Sequence, residues 1–468
     1  MPFQPVLTRQ HYQTVLISSI IAGVTFFDFA IFWYLTDELA YVFFNEQHER
    51  LLWIDHLYLL AIFSLSYLIT PLGGILIGHY GDKYGRKPAL SLSLLGVALS
   101  TLAIALLPTH QQIGILAPIL LIIIRLVQGM ASGGVLPSIW VFATEHLPTK
   151  RLGIGCGVIM ASCVLNVMLL NVIISLLDNH LTFGEMMSYG WRIIFVIGGG
   201  LDLLAMLLVY LLKETPVFLS DQNSTITDPK TLNAISLNDP TSELRQTLTR
   251  GRYQNLNALF ANLKHDIVSW WAVLKKGFLS SFLPATLLAS IAVTLIAFIS
   301  SSLISLAELD TSLTAAMIRV GCLLAMFFMM LGSVFYGLMA DIFNPGRVLI
   351  FAGLFLILQT MMFYFHLTSG GEYLLALFAM LGFSLGLIGA LPSIIVRLFP
   401  TKIRLTGTAV TYNLAYTALG GSSYVLLGMS DGQMAITPVI FVLLMGLVAI
   451  FMSFYIYYIP RTEHDVRR

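Results

Sequence analysis

Charged residues are scarce in this chain. Only 10% of its 468 residues are Asp, Glu, Lys or Arg, and 57% are hydrophobic, whereas soluble globular proteins carry about 25% charged residues. The apolar runs have the length of membrane-spanning helices rather than of the ~10-residue alternating strands of a barrel. The composition therefore excludes a soluble protein and predicts an all-α integral membrane protein. A net charge of +1 gives no reason to expect nucleic acid as a partner.

Several chemical motifs are also missing. The three cysteines (Cys156, Cys163 and Cys322) all fall in apolar runs, and their spacing fits neither a disulfide framework nor a metal site. The chain has no Gly-x-x-x-x-Gly-Lys-[Ser/Thr] loop for ATP phosphates, and its Ser, His and Asp residues form no recognisable nucleophile motif. We therefore expect no enzyme activity, no ATP-driven pumping, no metal and no bound cofactor.

Twelve apolar runs have the length of a membrane span, and one long hydrophilic segment, residues 213–277, separates six of them from the other six. We expect residues 1–212 and 278–468 to form two six-helix bundles, joined by a cytoplasmic linker over 213–277. Within the linker, Leu256 to Trp271 reads either as a helix lying on the membrane surface or as a plain tether. The predicted spans lie near 14–36, 56–78, 88–107, 113–144, 152–177, 191–212, 278–305, 313–340, 347–367, 372–399, 405–428 and 435–459.

The positive charges are distributed unevenly between the loops. Most of the 25 Lys and Arg residues fall in alternate loops, and the intervening loops carry mainly acids. Because Lys and Arg near the ends of spans resist translocation, the loops rich in them are expected to face the cytoplasm. This orientation predicts that both termini are cytoplasmic.

A glycine-rich, charged segment joins the second and third spans: Gly78-His79-Tyr80-Gly81-Asp82-Lys83-Tyr84-Gly85-Arg86-Lys87. Its glycines predict a sharp turn between two antiparallel helices. We expect Asp82 to accept hydrogen bonds from the N-terminus of a neighbouring helix, and Arg86 to pair with an acidic group nearby.

The two halves of the chain repeat one another. Leu136-Pro137-Ser138-Ile139, followed by Leu147-Pro148-Thr149-Lys150, recurs as Leu391-Pro392-Ser393-Ile394, followed by Phe399-Pro400-Thr401-Lys402. A degraded copy of the charged segment follows the eighth span, as Gly337 to Asp341 with Pro345-Gly346-Arg347. Internal duplication with a site between the halves is the architecture of secondary transporters.

Two charges lie about midway along predicted spans, Asp28 in the first and Arg125 in the fourth. A charge at the centre of a span costs at least about 2.5–3.5 kcal/mol, so each needs a reason to be there. Asp28 stands among phenylalanines, where a carboxyl group is hard to ionise and can carry a proton. Gln128 and Ser132 share the helical face of Arg125, which suggests a wet lining. We interpret Asp28 as the proton-binding group and Arg125 as its partner or the substrate anchor; a static ion pair is the alternative.

Each of the other polar residues in the spans has two possible interpretations. Arg319 either faces an outer vestibule, where it would attract a solute, or extends toward the headgroups. Asp202 has no cation at its depth and is read as a helix–helix contact. The neutral groups either bond between helices or contact substrate. The candidates for substrate binding are Arg125, Gln128, Asn166, Ser301, Arg319, Tyr412, Asn413 and Tyr416.

Gly78 to Lys87 resembles the signature loop between the second and third helices of the major facilitator superfamily. More narrowly, the chain is similar to the metabolite:proton symporter family, which includes the proline/betaine transporters. The supporting motifs are Gly23–Phe29, Arg125–Gly129 with Gly133-Gly134, Glu145–Pro148 with Arg151, Gly190–Arg192, Lys213–Phe218 and Leu398–Thr401.

The resemblance implies two six-helix bundles, alternating access, and proton-coupled uptake of small organic solutes across a bacterial inner membrane. It also supports Asp28 and Arg125 as a coupling pair. A cytoplasmic gating cluster would include Asp82, Arg86 and Glu145, to which we add Arg151 and Asp341.

Two positions depart from the family pattern. Val135 stands where Glu usually follows the Gly-Gly pair, and Arg397 stands where an acid commonly precedes Leu-Phe-Pro. The absence of proline from Gly153 to Ile174 argues against a drug antiporter. We therefore predict a monomeric symporter, driven by the proton gradient, that imports an amino acid, a betaine or a carboxylate. An uncoupled facilitator or exporter of the same fold, and a non-transporting membrane sensor, are the alternatives.

Overall fold

The computed structural model describes residues 8–44, 52–226, 277–299, 303, 307, 314–369, 373–420 and 437–458, and the regular secondary structure in these ranges is helical. The predicted candidate Ser301 and the segment Leu256–Trp271 lie outside the described residues. The domain boundaries at 212 and 278 stay predictions, because most of the segment between them is outside these ranges.

The helices of the N-terminal half run from α1 to α10, and α11 follows in the segment predicted as the linker. Their bounds are α1 (Arg9–Tyr34), α2 (Thr36–Phe43), α3 (Leu52–Tyr84), α4 (Arg86–Ala105), α5 (His110–Ile113), α6 (Leu116–Ser132), α7 (Val135–His146), α8 (Leu152–His180), α9 (Phe183–Glu185), α10 (Trp191–Val209) and α11 (Pro216–Ile226). A 3₁₀ turn at Thr149–Arg151 precedes α8, and a π turn at Met186–Gly190 precedes α10.

The helices of the C-terminal half run from α12 to α18. Their bounds are α12 (Leu283–Ala297), α13 (Ala315–Ile342), α14 (Pro345–Ser369), α15 (Leu374–Leu385), α16 (Leu391–Ile395), α17 (Arg404–Ala415) and α18 (Thr437–Tyr458). Short 3₁₀ or π turns connect or extend them at Phe278–Phe282, Gly386–Gly389, Val396–Leu398, Thr401–Ile403 and Tyr416–Gly420.

The long helices follow the predicted spans. Ten helical segments of the described ranges are long and apolar enough to cross a membrane, which agrees with an all-α membrane protein. Of the other two predicted spans, 56–78 lies within α3, and 405–428 begins in α17 and extends past the described residues.

The charged segment after the second span is more helical than the sequence suggests. Helix α3 continues to Tyr84, α4 begins at Arg86, and Gly85 alone separates them. Gly85 has a φ of 119°, a conformation that residues with a Cβ rarely adopt. The predicted turn is therefore confined to one glycine.

Two predicted spans are broken at equivalent places in the repeat. Span 113–144 is interrupted at Gly133-Gly134, between α6 and α7, and span 372–399 is interrupted by the 3₁₀ turn Gly386–Gly389. The repeated Leu-Pro-Ser-Ile motif follows each break, with its proline in the first turn of α7 or α16. Proline fits there because the N–H groups of a first helical turn have no partner within the helix.

The two halves meet most extensively through two helix pairs, α3 with α17 and α8 with α13. Small residues bring the second pair close. A Cβ built on Gly153 would overlap the carbonyl oxygen of Gly337, and one built on Gly157 would lie 2.5 Å from the carbonyl oxygen of Ser333. Helices α1, α4 and α10 pack together within the N-terminal half. The central space between the halves is thus bordered by α1, α3, α6 and α17.

Candidate functional site

A cavity of about 80 Å³ lies between the two halves. Helices of the N-terminal half supply its charged side chains, and Tyr412, Asn413 and Tyr416 form the wall from the C-terminal half. Asp28 and Arg125 both line it and are only 5% and 6% exposed. The remaining lining residues are Thr25, Phe26, Phe29, Ser66, Tyr67, Thr70, Val97, Gln128, Gly129, Ser132 and Leu136.

The Asp28 carboxylate is held by hydrogen bonds on both oxygens. Thr101 Oγ1 donates to Asp28 Oδ1 at 2.5 Å, and Gln128 Nε2 donates to Asp28 Oδ2 at 2.9 Å. Gln128 Nε2 also lies 2.8 Å from Thr101 Oγ1. Hydrogen bonds to a charged acceptor favour its ionised form, so these contacts suit Asp28 as a carboxylate.

Gln128 connects Asp28 to Arg125. Arg125 Nη1 donates to Gln128 Oε1 at 2.6 Å, while the amide nitrogen of Gln128 binds Asp28. The Arg125 guanidinium also lies over the ring of Phe32, 3.7 Å from its centroid. A cation over an aromatic face is stabilised by the ring quadrupole. The acid, the amide and the guanidinium therefore form one continuous polar chain within the N-terminal half.

Aromatic rings form much of the rest of the cavity wall. Tyr67 and Tyr416 have ring centroids 4.4 Å apart, and Phe29 lies 5.7 Å from Tyr416 and 5.8 Å from Tyr67. Tyr412 stacks on Tyr416 at 5.7 Å. Sequence reasoning selected Tyr412 and Tyr416 but missed Tyr67, Phe29 and Thr101, because a single Tyr, Phe or Thr in an apolar run gives no signal of what lies opposite it.

The other predicted substrate residues are placed differently. Asn413 lines the cavity, but its Nδ2 donates to the carbonyl oxygens of Gly133 and Ala409, each at 2.7 Å. Asn166 donates to Ser162 O in its own helix, packs against Gly23 and does not line the cavity. Arg319 is exposed in the first turns of α13 and does not line the cavity, a position that fits both of its predicted roles.

The Arg86 cluster, formed by Asp82, Arg86, Glu145 and Arg404, ties the halves together at one face. Asp82 lies at the end of α3 and accepts three hydrogen bonds from the first turn of α17. These come from Leu405 N at 3.0 Å, Thr406 N at 2.8 Å and Thr406 Oγ1 at 2.6 Å. A carboxylate at a helix N-terminus satisfies backbone donors that have no partner within the helix.

Arg86 and Glu145 form the buried centre of this cluster. Arg86 Nε lies 3.2 Å from Glu145 Oε2, and Arg86 Nη2 reaches across to the carbonyl oxygen of Thr401 at 2.8 Å. Arg404 of the C-terminal half approaches Glu145 Oε1 at 3.2 Å, and Thr215 donates to Glu145 Oε2 at 2.7 Å. Because each charge has several partners, its desolvation is compensated when this face is closed.

A second cluster, formed by Asp341, Arg397 and Arg151, repeats this arrangement with the halves exchanged. Asp341 accepts hydrogen bonds from Gly153 N at 2.7 Å and Ile154 N at 2.8 Å, in the first turn of α8. Arg397 Nη2 donates to the carbonyl oxygen of Thr149 at 2.8 Å. Arg151 and Arg397 both interact electrostatically with Asp341. The five predicted gating residues therefore lie in two clusters on the same face.

The geometry is that of a binding cavity beside a closed face. No group of three or more His, Cys, Asp or Glu side chains capable of holding a metal occurs among the described residues. The cavity can offer one guanidinium, one carboxyl and several aromatic faces to a small solute. The two clusters must separate for that solute to leave on their side.

Known proteins resemble this chain, some of them over most of its length. The family profile described as Major Facilitator Superfamily matches residues 14–423. A protein of Staphylococcus aureus (strain COL) named for proline/betaine transport is 28% identical over 415 residues, which cover 88% of this chain and 80% of the relative. The proline/betaine transporter of Escherichia coli (strain K12) is 31% identical over 206 residues, 44% of this chain and 41% of its own length.

Solved structures show the same fold. The proton:xylose symporter XylE bound to 6-bromo-6-deoxy-D-glucose superposes with a TM-score of 0.70 at 15% identity, over 97% of this chain and 96% of that one. Together with the family match, this likeness accounts for the repeated halves, the central cavity and the apolar spans. The chain belongs to the major facilitator superfamily and is a multi-pass membrane transporter of a small molecule, not an enzyme.

Proposed function

We propose that this transporter is a proton-coupled symporter that imports a small zwitterion, such as proline or a betaine, across a bacterial inner membrane. The observation that carries the proposal is the chain of Asp28, Gln128 and Arg125 in a cavity between the two halves. The names of the relatives support the substrate class, since they refer to proline and betaine.

The polar chain suggests how proton and substrate binding could be linked. With Asp28 ionised, its charge offsets that of Arg125 through Gln128. A proton on Asp28 removes that negative charge and leaves the guanidinium available to the carboxylate of a substrate, which it can bind with two hydrogen bonds. Proton binding would therefore favour substrate binding, as coupled uptake requires.

The aromatic wall suits the other end of a zwitterion. The rings of Tyr67, Tyr412 and Tyr416 lie on the cavity surface, and aromatic faces bind ammonium groups, quaternary ones included. Arg125 would hold the carboxylate and the tyrosines the cationic nitrogen. An engineered cavity of about 150 Å³ is known to hold benzene, so this cavity of about 80 Å³ must widen, by movement of the rings, before it admits such a solute.

The face with the Arg86 cluster would be cytoplasmic, because the loops on that side carry most of the Lys and Arg residues. Closure there leaves the cavity to be loaded from outside. Separation of the Arg86 and Asp341 clusters would then release substrate and proton inside, which is the alternating access expected for duplicated halves.

Uptake into proteoliposomes tests this proposal. With an imposed pH gradient, the wild type should accumulate labelled proline or glycine betaine against its gradient and alkalinise the medium as it does so. Asp28→Asn should lose both effects but keep the exchange of labelled for unlabelled substrate, which needs no net proton movement. Undiminished proton-driven accumulation by Asp28→Asn would instead reject the coupling role of Asp28 and favour a static Asp28–Arg125 arrangement.

A further inference from the structure

Asp202 is a buried acid that the proposed cycle does not yet use. It lies in α10 and is 0% exposed. Neither of its carboxyl oxygens has a hydrogen-bond partner within the described ranges. A fully buried carboxylate without a partner is among the most unfavourable groups in a protein interior, and such a group takes up a proton instead. This property distinguishes Asp202 from Asp28, which accepts hydrogen bonds on both oxygens.

Asp202 lies close to Asp28 through the packing of α10 on α1. Gly198 stands one turn before Asp202 on the same face of α10, and a Cβ built there would lie 3.7 Å from Asp28 Oδ1 and 3.6 Å from Thr101 Cγ2. Residues four apart on a helix have Cβ atoms about 5–6 Å apart. The two carboxyl groups are near enough to interact electrostatically. Of the two acids, Asp202 lies nearer to the face of the protein that carries the Arg86 cluster.

The helices around Asp202 offer it no cation at this depth. Helix α4 carries Arg86 and Lys87 only at its far end, α1 carries Arg9 and His11 only at its start, and α10 has Arg192 in its first turn. Among the described residues, Asp28 is the titratable group that interacts with Asp202. Arg125 interacts with Asp28 on the opposite side, through Gln128. Arg125 therefore offsets the charge of Asp28, and Asp202, which has no cation beside it, is the acid of the pair that holds a proton.

We propose that Asp202 is a second proton-binding site of this transporter, which takes the proton from Asp28 on its way to the face of the Arg86 cluster. The inference rests on the proposed proton coupling at Asp28. In the resting state Asp202 is protonated and Asp28 is ionised. When the face of the Arg86 cluster opens, water admitted there accepts the resident proton of Asp202; the O–H bond of a protonated Asp28 then breaks as a new O–H bond forms on Asp202. One proton enters and one leaves in each cycle.

Transport and binding assays separate the two acids. Asp202→Asn should lose proton-driven accumulation of labelled proline or glycine betaine, but keep exchange and keep the proton uptake that substrate binding induces in the solubilised protein. Asp28→Asn should lose both the accumulation and the binding-induced proton uptake. The matched control Asp178→Asn, an exposed acid of α8, should change none of these. Wild-type accumulation by Asp202→Asn would overturn the proposal, whereas failure of the wild type itself to accumulate substrate under an imposed pH gradient would overturn the proposed function.

Two further measurements guard against a variant that merely fails to fold. Asp202→Glu keeps a titratable acid and should retain accumulation. Loss of accumulation in Asp202→Glu together with its retention in Asp202→Asn would show that Asp202 has a structural polar role instead.

Infrared spectroscopy needs no substrate. The C=O stretch of a protonated carboxyl should be present at neutral pH in the wild type and in Asp28→Asn, and its amplitude should fall in Asp202→Asn. The same amplitude in all three proteins would show that Asp202 holds no proton.

Discussion

Replacing Asp82 by Asn should open the face that carries the Arg86 cluster. The Asp82 carboxylate accepts hydrogen bonds from Leu405 N, Thr406 N and Thr406 Oγ1 at 3.0, 2.8 and 2.6 Å. All three donors belong to the other half of the chain, so the bonds exist only while this face is closed. Asn keeps one acceptor oxygen, but it loses the charge and places an NH₂ group where the second oxygen met a donor.

The size of the effect follows from those contacts. A hydrogen bond to a charged group contributes about 1.5–3 kcal/mol, and loss of a helix N-cap costs about 1 kcal/mol. Because the remaining oxygen keeps part of this energy, we expect the closed state to lose about 2 kcal/mol. At about 1.4 kcal/mol for each factor of ten, the ratio of open to closed protein should rise about 30-fold.

Spin labels at Lys150 and Lys402, which are exposed in equivalent loops of the two halves, would measure this ratio. In double electron–electron resonance, Asp82→Asn should move population from the short to the long distance. Arg347→Ala is the control, because Arg347 is exposed on the same face and its side chain makes no hydrogen bond to another described residue. A change in Asp82→Asn no larger than that in Arg347→Ala would refute the assignment of Asp82 to closure.

Two more substitutions test the contacts between the halves with the same pair of labels. Arg397→Ala removes the 2.8 Å hydrogen bond to Thr149 O; since Arg397 is exposed, the loss is at most about 1 kcal/mol, and the ratio of open to closed protein should rise no more than about fivefold. Gly153→Ala adds a methyl group that overlaps the carbonyl oxygen of Gly337 and lies 2.9 Å from Asp341 Oδ1, so it should open this face as well. Gly200→Ala, where nothing lies within 4 Å of an added Cβ, should leave the distances unchanged.

The sequence was sufficient for the helices but not for most of the contacts between them. Apolar runs and charges at their ends locate spans because the membrane imposes one length and one composition on them. Asp28 and Arg125 stand out for the same reason, since a mid-span charge is rare. Thr101 and Phe32, which bind these two residues, are ordinary in an apolar run. Only the approach of α4 and α6 to α1 brings them into contact with Asp28 and Arg125.

The helix breaks and the position of Asn166 were missed for related reasons. Gly133-Gly134 and Gly386–Gly389 lie inside uninterrupted apolar runs, and hydropathy does not register a local change of helix geometry. Asn166 and Tyr412 both appear in the sequence as polar groups in a span, yet one packs against Gly23 and the other lines the cavity. The rotation of a helix about its own axis decides which of its faces points toward the other half. The pattern of polar residues in one sequence constrains that rotation only weakly.

Neither residue that departs from the family pattern lines the cavity, and one of them, Arg397, contacts the other half in the second cluster. Val135 is fully buried in α7 and does not line the cavity. Arg397 occupies the place in the repeat that Glu145 occupies in the first half, three residues before the proline. Glu145 closes its face by holding Arg86, which donates to Thr401 O.

Arg397 makes the equivalent contact directly, since it donates to Thr149 O, the matching carbonyl of the other half. Arg397 therefore makes by itself the contact that Glu145 and Arg86 make together in the first half. Arg347, the residue that follows Pro-Gly in the second copy, is exposed. In the closed state the second cluster is held by an exposed arginine, whereas the first cluster is held by a buried ion pair. For this reason, the Arg86 cluster should contribute more of the energy of closure than the Asp341 cluster.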